Sequence, residues 1–361
     1  MEAKRKASAG GLEGVVVAET RLSDVDGERG RLVVAGKDVE ALAGAVSFEE
    51  AAALLWGVPA AAAKAGIAEG RVKAFGRLGR LGDALDRDGG MDALRASVAH
   101  LSEDDGFASP AAVTGAVATF AAAWARKRRG EAPVAPDASL GHAADYLRMT
   151  TGRAPDEARA NGLDTYLVTV ADHGMNASTF AARVVASTGS DMISAVVAAI
   201  GALKGPLHGG APGPVLDMLD AIGAPDKAAT WIEGELVAGR RIMGMGHRIY
   251  RVRDPRAAVL ERATKRLEQA GISTGRLELA RAVERAAEGA LRARHPDRPL
   301  LANVEFYTAV LLDTVGLDRA EFSPTFAVGR AAGWTAHVEE QRATGRLIRP
   351  ASTYVGPVPG A

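Results

Sequence analysis

Residues 242–256 read Ile242-Met243-Gly244-Met245-Gly246-His247-Arg248-Ile249-Tyr250-Arg251-Val252-Arg253-Asp254-Pro255-Arg256. A histidine stands at the end of a run of glycines and apolar residues, and a helical pattern starts at Pro255. Glycine lets the backbone take unusual dihedrals and lets a ligand approach closely. Histidine is the side chain whose proton moves near neutral pH. Alone, such a histidine is more often a hydrogen-bonded turn residue than a reacting group, so the surroundings must decide.

Working outward, three more segments place an ionisable group among small or apolar neighbours. They are Ala171-Asp172-His173-Gly174-Met175-Asn176, Gly205-Pro206-Leu207-His208-Gly209-Gly210 and Asn303-Val304-Glu305-Phe306-Tyr307. His100, His142, His295 and His337 lack that setting and read as surface or structural. No two histidines have metal-ligand spacing and no paired carboxylates accompany them, so no metal site is expected.

Between these segments the pattern is helical almost throughout. Ser47 with Glu50 forms a capping box before Ala51–Trp56. Ser109-Pro110 reads as an N-cap followed by proline at the first helical position, opening the alanine-rich stretch that ends at the basic run Arg126–Arg129. Helices are expected over Leu140–Met149 and Thr165–Ala171, then from Asn176 or Ser178 to about Ser187, and over Met192–Leu203 behind Ser190-Asp191. After a break at Gly209–Pro214, a candidate hinge, the pattern resumes over Val215–Ile222, Lys227–Ala238, Pro255–Ala270, Leu277–Arg294, Asn303–Val315 and Thr325–Arg342. Residues 1–9 read as disordered. Val15–Ala18 and Arg31–Ala35 read as a small N-terminal β-hairpin. No strand–helix alternation occurs, so the fold class is all-α rather than α/β.

Composition narrows the function. Apolar residues make up 47% and charged residues 24% of 361, enough to bury a core. Lys+Arg and Asp+Glu balance at 44 each, so no global basic field points to nucleic acid or a membrane surface. The chain has no cysteine, which excludes disulfides, thiolate metal sites and a cysteine nucleophile. Phe107–Ala125 is too rich in alanine, serine and threonine for a membrane span. No secretory h-region opens the chain. A cytoplasmic protein is compatible with all of this.

In order and spacing, the four segments together closely resemble the citrate synthase family. The likeness also takes in Gly11–Gly14, Ser23–Gly30, Asp172–Ala186, Ala199–Gly210, Phe322–Val338 and Leu347–Pro357, and Gly244–Tyr250 with Asp254–Arg256 resembles the family's signature around its second catalytic histidine. The resemblance implies a helical homodimer with a large domain (1–210 and 319–361) and a small one (211–318) that close over acyl-CoA and oxaloacetate. It implies that His208 stabilises the enol of the acyl-CoA, that His247 binds and protonates the oxaloacetate carbonyl, and that Glu305 removes a methyl proton. His173, Arg256 and Arg330 resemble the ligands of the oxaloacetate carboxylates, and Arg349 an arginine supplied to the partner's site. Ile242, Met243, Gly244, Met245 and Gly246 resemble the CoA-contacting loop. CoA thioester is then a substrate, and no cofactor is expected.

Elementary chemistry agrees with those roles. A thioester α-proton is too weakly acidic for a carboxylate in water, so donors must meet the developing oxyanion. A dicarboxylate calls for several guanidinium forks. The chain departs from the family's familiar pattern at Glu305, where aspartate is usual. It also has two prolines after His208, and a shorter connection near Trp56–Pro59. The implied activity is condensation of acetyl-CoA with oxaloacetate, then hydrolysis of citryl-CoA to citrate and CoA. A 2-methylcitrate synthase using propionyl-CoA differs from it by one methyl group, worth about 1–3 kcal/mol in an apolar pocket. A non-catalytic binding or assembly homologue has only the Glu305 change in its favour. A module that cleaves citryl-CoA is disfavoured, since no phosphate-binding glycine loop is present.

Overall fold

The computed structural model describes residues 12, 14–154, 156–209, 212–247 and 249–357. The expectations placed on residues 1–9, Gly11, Glu13, Gly210, Ala211 and Arg248 lie outside these. The fold is helical, as expected, with one small antiparallel sheet in the order β1 (Ser23–Asp26), β2 (Arg31–Val34), β3 (Lys37–Asp38). The N-terminal hairpin differs from expectation in its first strand. Val15–Ala18 forms no strand, and Ser23–Asp26 pairs with Arg31–Val34 instead, Val25 opposite Leu32. Two aspartates hid that strand, because aspartate is poor in sheets generally but is tolerated at these edge positions.

The helices are α1 (Val39–Leu42), α2 (Phe48–Trp56), α3 (Ala60–Phe75), α4 (Gly90–Val98), α5 (Pro110–Arg128), α6 (His142–Thr151), α7 (Glu157–Val170), α8 (Ala177–Ala186), α9 (Met192–Leu203), α10 (Pro212–Ile222), α11 (Ala228–Val237), α12 (Pro255–Gln269), α13 (Arg276–Arg294), α14 (Val304–Val315) and α15 (Phe322–Thr344). Their starts follow the capping chemistry. Ser47 and Glu50 complete both halves of the capping box. Ser109 accepts from Ala112 N ahead of Pro110. Asn176 and Asp191 cap α8 and α9. Several starts were placed late: α7 begins at Glu157, not Thr165, α10 at Pro212, not Val215, and α15 at Phe322, not Thr325. A first turn lacks intrahelical partners for its N–H groups, so prolines there cost nothing in bonding.

Helix α5 is buried along nearly its whole length and packs on α3, α4, α6 and α15. Helix α15 also crosses α7, α8 and α9. Beyond residue 212, α10 and α12 pack on α14, and α11 on α13. Helix α7 is the common neighbour, touching both α12 and α14 as well as α6 and α15. Among the described residues no single helix is long and apolar enough to cross a membrane.

The sheet braces the segments that carry chemistry. Ser23 Oγ donates to Asp172 and accepts from Gly174 N at 2.8 Å. Gly27 O, in the β1–β2 turn, accepts from Arg251 N at 2.9 Å. The hairpin therefore grips both the His173 turn and the stretch after His247. Helix α15 approaches the same turn at Gly333, where a Cβ would stand 2.6 Å from Asp172 Oδ1. Only glycine allows that contact.

Candidate active site

Helix α7 ends at Val170, and the chain turns sharply before α8. His173 stands in that turn, buried, with Nε2 3.1 Å from Tyr250 Oη. The ring of His247 lies edge-on to His173 at 5.9 Å and tilted against Tyr250 at 4.7 Å between centroids. Two histidines 74 positions apart in the chain thus share one aromatic cluster.

His247 has a defined tautomer. Its Nδ1 accepts from Ile249 N at 3.0 Å and Tyr250 N at 3.1 Å. Two amide donors at Nδ1 outweigh the one guanidinium N–H of Arg256 that faces Nε2 at 3.5 Å, so a neutral ring carries its proton on Nε2. A donor and a fixed cation therefore sit side by side, as a carbonyl next to a carboxylate would require. Burial, helped by Arg256 and opposed by Asp254, pushes His247 down to about 4.

His208 carries the opposite tautomer. Ser178 N points at its Nε2 at 3.3 Å, and Ser178 Oγ lies 2.8 Å away. Trp334 Nε1 donates to that hydroxyl at 3.0 Å, which leaves the hydroxyl proton to give. That hydroxyl also lies 2.8 Å from Asn176 Oδ1, so it is the Ser178 amide aimed at Nε2 that marks this nitrogen as the acceptor. The proton of His208 is then on Nδ1. Burial, with Arg330 and Arg256 adding to it, pushes His208 down to about 4. Both histidines are neutral donors at pH 7.

The two arginines are buried. Arg256, in the first turn of α12, is chelated by Asp254 through Nε at 3.0 Å and Nη2 at 2.8 Å. Asp254 also caps α12 and accepts from Val304 N at 3.1 Å, the first residue of α14. Burial opposes the charge of Arg256, but Asp254 and neighbouring acids more than offset it and hold its value above normal. Arg330, on α15, differs. Among the described residues its only hydrogen bond is Nε to Val170 O at 2.5 Å. Burial pushes it down to about 10, with Asp172 resisting and Arg256 assisting.

Glu305 occupies the second position of α14, behind the cap Asn303. It is 8% exposed, and its Oε2 has no hydrogen-bond partner among the described residues. Burial raises it to about 7, against Arg256 and Arg330 and with Asp254. His208 and Glu305 feel the same two guanidiniums, which brings both within electrostatic reach of one pair of cations. Among the described residues, Tyr166 Oη on α7 and Thr308 Oγ1, one turn beyond Glu305, are also buried without partners.

The loop Ile242–Gly246 is bolted to the start of α14. Gly246 N donates to Leu301 O at 2.7 Å, Asn303 N to Gly244 O at 2.9 Å, and Met245 bridges Ala302. At Gly244, φ is +74° and a Cβ would stand 2.9 Å from Phe306 Cβ, so the residue must be glycine for the loop to lie this close. Arg349 does not join the cluster. It is exposed and lines a cavity of about 570 Å³ with Arg183, Arg346 and the N-terminal stretch Val15–Glu19.

Ser178, Tyr250, Asp254 and Asn303 escaped the sequence reading as site residues. Asp254 carried a usable signal, an acid directly before a helix-opening Pro255. Ser178 and Tyr250 carried none, because their partners come from other elements. Of the histidines read as surface or structural, His142 and His337 are buried. His142 stacks on Phe48 beside Arg71, and His337 bridges Asp172 and Arg183.

A family model described as citrate synthase, C-terminal domain, matches residues 11–351. The chain is 40% identical to a citrate synthase of Haloferax volcanii, over 96% of this chain and 95% of that protein. It is 38% identical to a 2-methylcitrate synthase of Mycobacterium tuberculosis, over 96% of this chain and 90% of that one. The fold is similar, with a TM-score of 0.81 and 28% identity, to a citrate synthase of Thermoplasma acidophilum solved as a ternary complex with carboxymethyl coenzyme A and oxaloacetate. That similarity covers 96% of this chain and 95% of the other.

Proposed function

Since the chain belongs to the citrate synthase family, we propose that the cluster around Arg256 and Arg330 is the site of its reaction, with Glu305 as base and His208 and His247 as the two carbonyl donors. The chain is an acyltransferase that joins acetyl-CoA to oxaloacetate through a new carbon–carbon bond. One observation carries the assignment of roles: a buried, unpaired carboxylate and the neutral imidazole of His208 share the guanidiniums of Arg256 and Arg330, and Arg256 also lies beside the neutral imidazole of His247.

Glu305 takes a proton from the thioester methyl, and the Nδ1–H of His208 meets the oxygen that gains charge. A prepositioned donor in a site shielded from water counts for far more there than in solution. The resulting enol attacks the ketone of oxaloacetate, which the Nε2–H of His247 polarises and protonates. Arg256, Arg330 and His173 hold the oxaloacetate carboxylates, and Ile242–Gly246 lies along CoA. Hydrolysis of the citryl-CoA thioester then releases citrate and CoA.

The same reading has residues 1–210 and 319–361 as a large domain and 211–318 as a small one, closing over the substrates as a homodimer. The position of Arg349 on an exposed tail, apart from its own cluster, supports its reaching the partner's site. The compartment in this reading is the cytoplasm, where membranes retain charged thioesters and dicarboxylates.

The test follows free CoA thiol with oxaloacetate and either acetyl-CoA or propionyl-CoA, with His247→Ala as control. Turnover that prefers acetyl-CoA and is lost in the variant supports the reading. Preference for propionyl-CoA overturns the choice of donor, and turnover undiminished in His247→Ala overturns the site.

A further inference from the structure

The start of α14 and the loop before His247 are joined by one side chain. Asn303 Oδ1 accepts from Glu305 N at 3.0 Å, capping the helix that carries the carboxylate. Its Nδ2 donates to Gly246 O at 2.8 Å, the carbonyl next to His247. Its own N–H is spent on Gly244 O at 2.9 Å. Every polar group of the side chain is used, one on the Glu305 side and one on the loop side.

We propose that Asn303 is a positioning residue that fixes the Glu305 carboxylate in register with the loop Gly244–His247, so that base, thioester loop and ketone donor move as one body. This rests on the reading of the site above. The backbone bonds around Leu301 and Ala302 set the loop's approach, but they leave the Gly246 carbonyl free to tilt. Among the described residues, only the Asn303 amide holds that carbonyl, and hence the peptide entering His247, to the turn that presents Glu305. The arginines are anchored separately, Arg256 by Asp254 and Arg330 by Val170 O. The amide therefore bears first on proton abstraction, while the arginines that hold the oxaloacetate carboxylates keep their own anchors.

An ordinary cap residue needs an acceptor alone. Serine caps a helix about as well as asparagine but has no amide to reach Gly246 O, so Asn303→Ser separates the two roles. A misplacement near 1 Å costs on the order of a hundredfold in rate. In Asn303→Ser, kcat is expected to fall about 10- to 100-fold while the KM for oxaloacetate stays within about twofold and the melting temperature stays near wild type. The deuterium isotope effect on kcat with methyl-deuterated acetyl-CoA should rise, because enolisation becomes slower than the later steps.

Wild-type kcat in Asn303→Ser, or a loss carried by the oxaloacetate KM with no rise in isotope effect, overturns the proposal. If that variant does not fold, Asn303→Asp keeps the acceptor and sets a carboxylate against Gly246 O. Reduced kcat in folded Asn303→Asp supports the latch, and wild-type kcat there overturns it. Failure of both to fold makes Asn303 a plain cap and also overturns it. Absence of turnover in the wild type is a different result, since it defeats the reading of the site itself.

Discussion

Replacing Glu305 by glutamine should abolish turnover and stabilise the protein, the more so the higher the pH. The native carboxyl is raised from 4.5 to about 7, first by burial. A raised acid favours the protonated form in the folded state. Its contribution is fully present below about 4.5 and is lost as pH climbs through about 7. A gap of about 2.5, at about 1.4 kcal/mol for each tenfold, costs the wild type about 3 kcal/mol at pH 8. At pH 5 the same linkage costs under about 1 kcal/mol. Glutamine is isosteric and uncharged, and Oε2 has no partner to lose. With an unfolding entropy of about 2 cal/mol/K per residue, a chain of 361 residues gains about 4 °C in melting temperature at pH 8 and about 1 °C at pH 5. Calorimetry of both proteins at the two pH values measures this. A gain that is equal at both, or larger at pH 5, would mean that Glu305 is not a buried acid of raised pKa, and the assignment of the base would fall with it.

The pH profile of kcat/KM should have one acid limb, near 7, with tenfold loss per pH unit below it. That limb belongs to Glu305, because His208 and His247 titrate near 4. A limb that survives in a series where Glu305 is altered would refute this. Glu305→Asp should lower kcat, toward a hundredfold, since the shorter stem draws the carboxylate back by about 1.5 Å. A faster variant would show the stem to be a handicap. Asp254→Asn should raise the oxaloacetate KM and destabilise by about 3–5 kcal/mol in urea unfolding, because it strips a buried Arg256 of its partner. Oxaloacetate at about 100 times its Kd should add about 2.7 kcal/mol, or about 3–4 °C in the melting temperature. That gain should vanish in Arg330→Met, and its survival there would exclude Arg330 as a ligand.

The helices were legible because their ends are chemical. Ser47, Ser109, Asn176 and Asp191 each announce a start, and each caps one. The hairpin was half legible, since Arg31–Val34 is apolar and branched. Its partner Ser23–Asp26 is polar, and is held by Ser23 bonding to Asp172, a contact no local pattern encodes. The histidines and Glu305 stood out as ionisable groups among glycines and apolar residues. Tautomers could not be read from the chain. The proton of His208 is set by the Ser178 amide at the start of α8, 30 positions away. That of His247 is set by two amides of its own turn. Arg349 resembled a residue supplied to the partner's site, and its chain path leads away from its own cluster.

The two arginines explain why the site can exist before substrate arrives. A buried cation without a counter-charge is expensive, and proteins normally pair it. Arg256 has Asp254, so its place is secured within the fold. Arg330 has a carbonyl and the more distant Asp172, and its value sinks to about 10. Glu305 could have closed that gap by pairing directly, but its Oε2 is left free. A salt bridge would have held the carboxylate far below 7 and made it a feeble base. Keeping the pair apart leaves one cation short of an anion and one carboxylate short of a partner. In the proposed reading a substrate carboxylate meets the first deficit, and a proton from the thioester methyl meets the second. The folded chain therefore holds its own stability slightly below what these residues could give, and that shortfall is what binding and chemistry draw on.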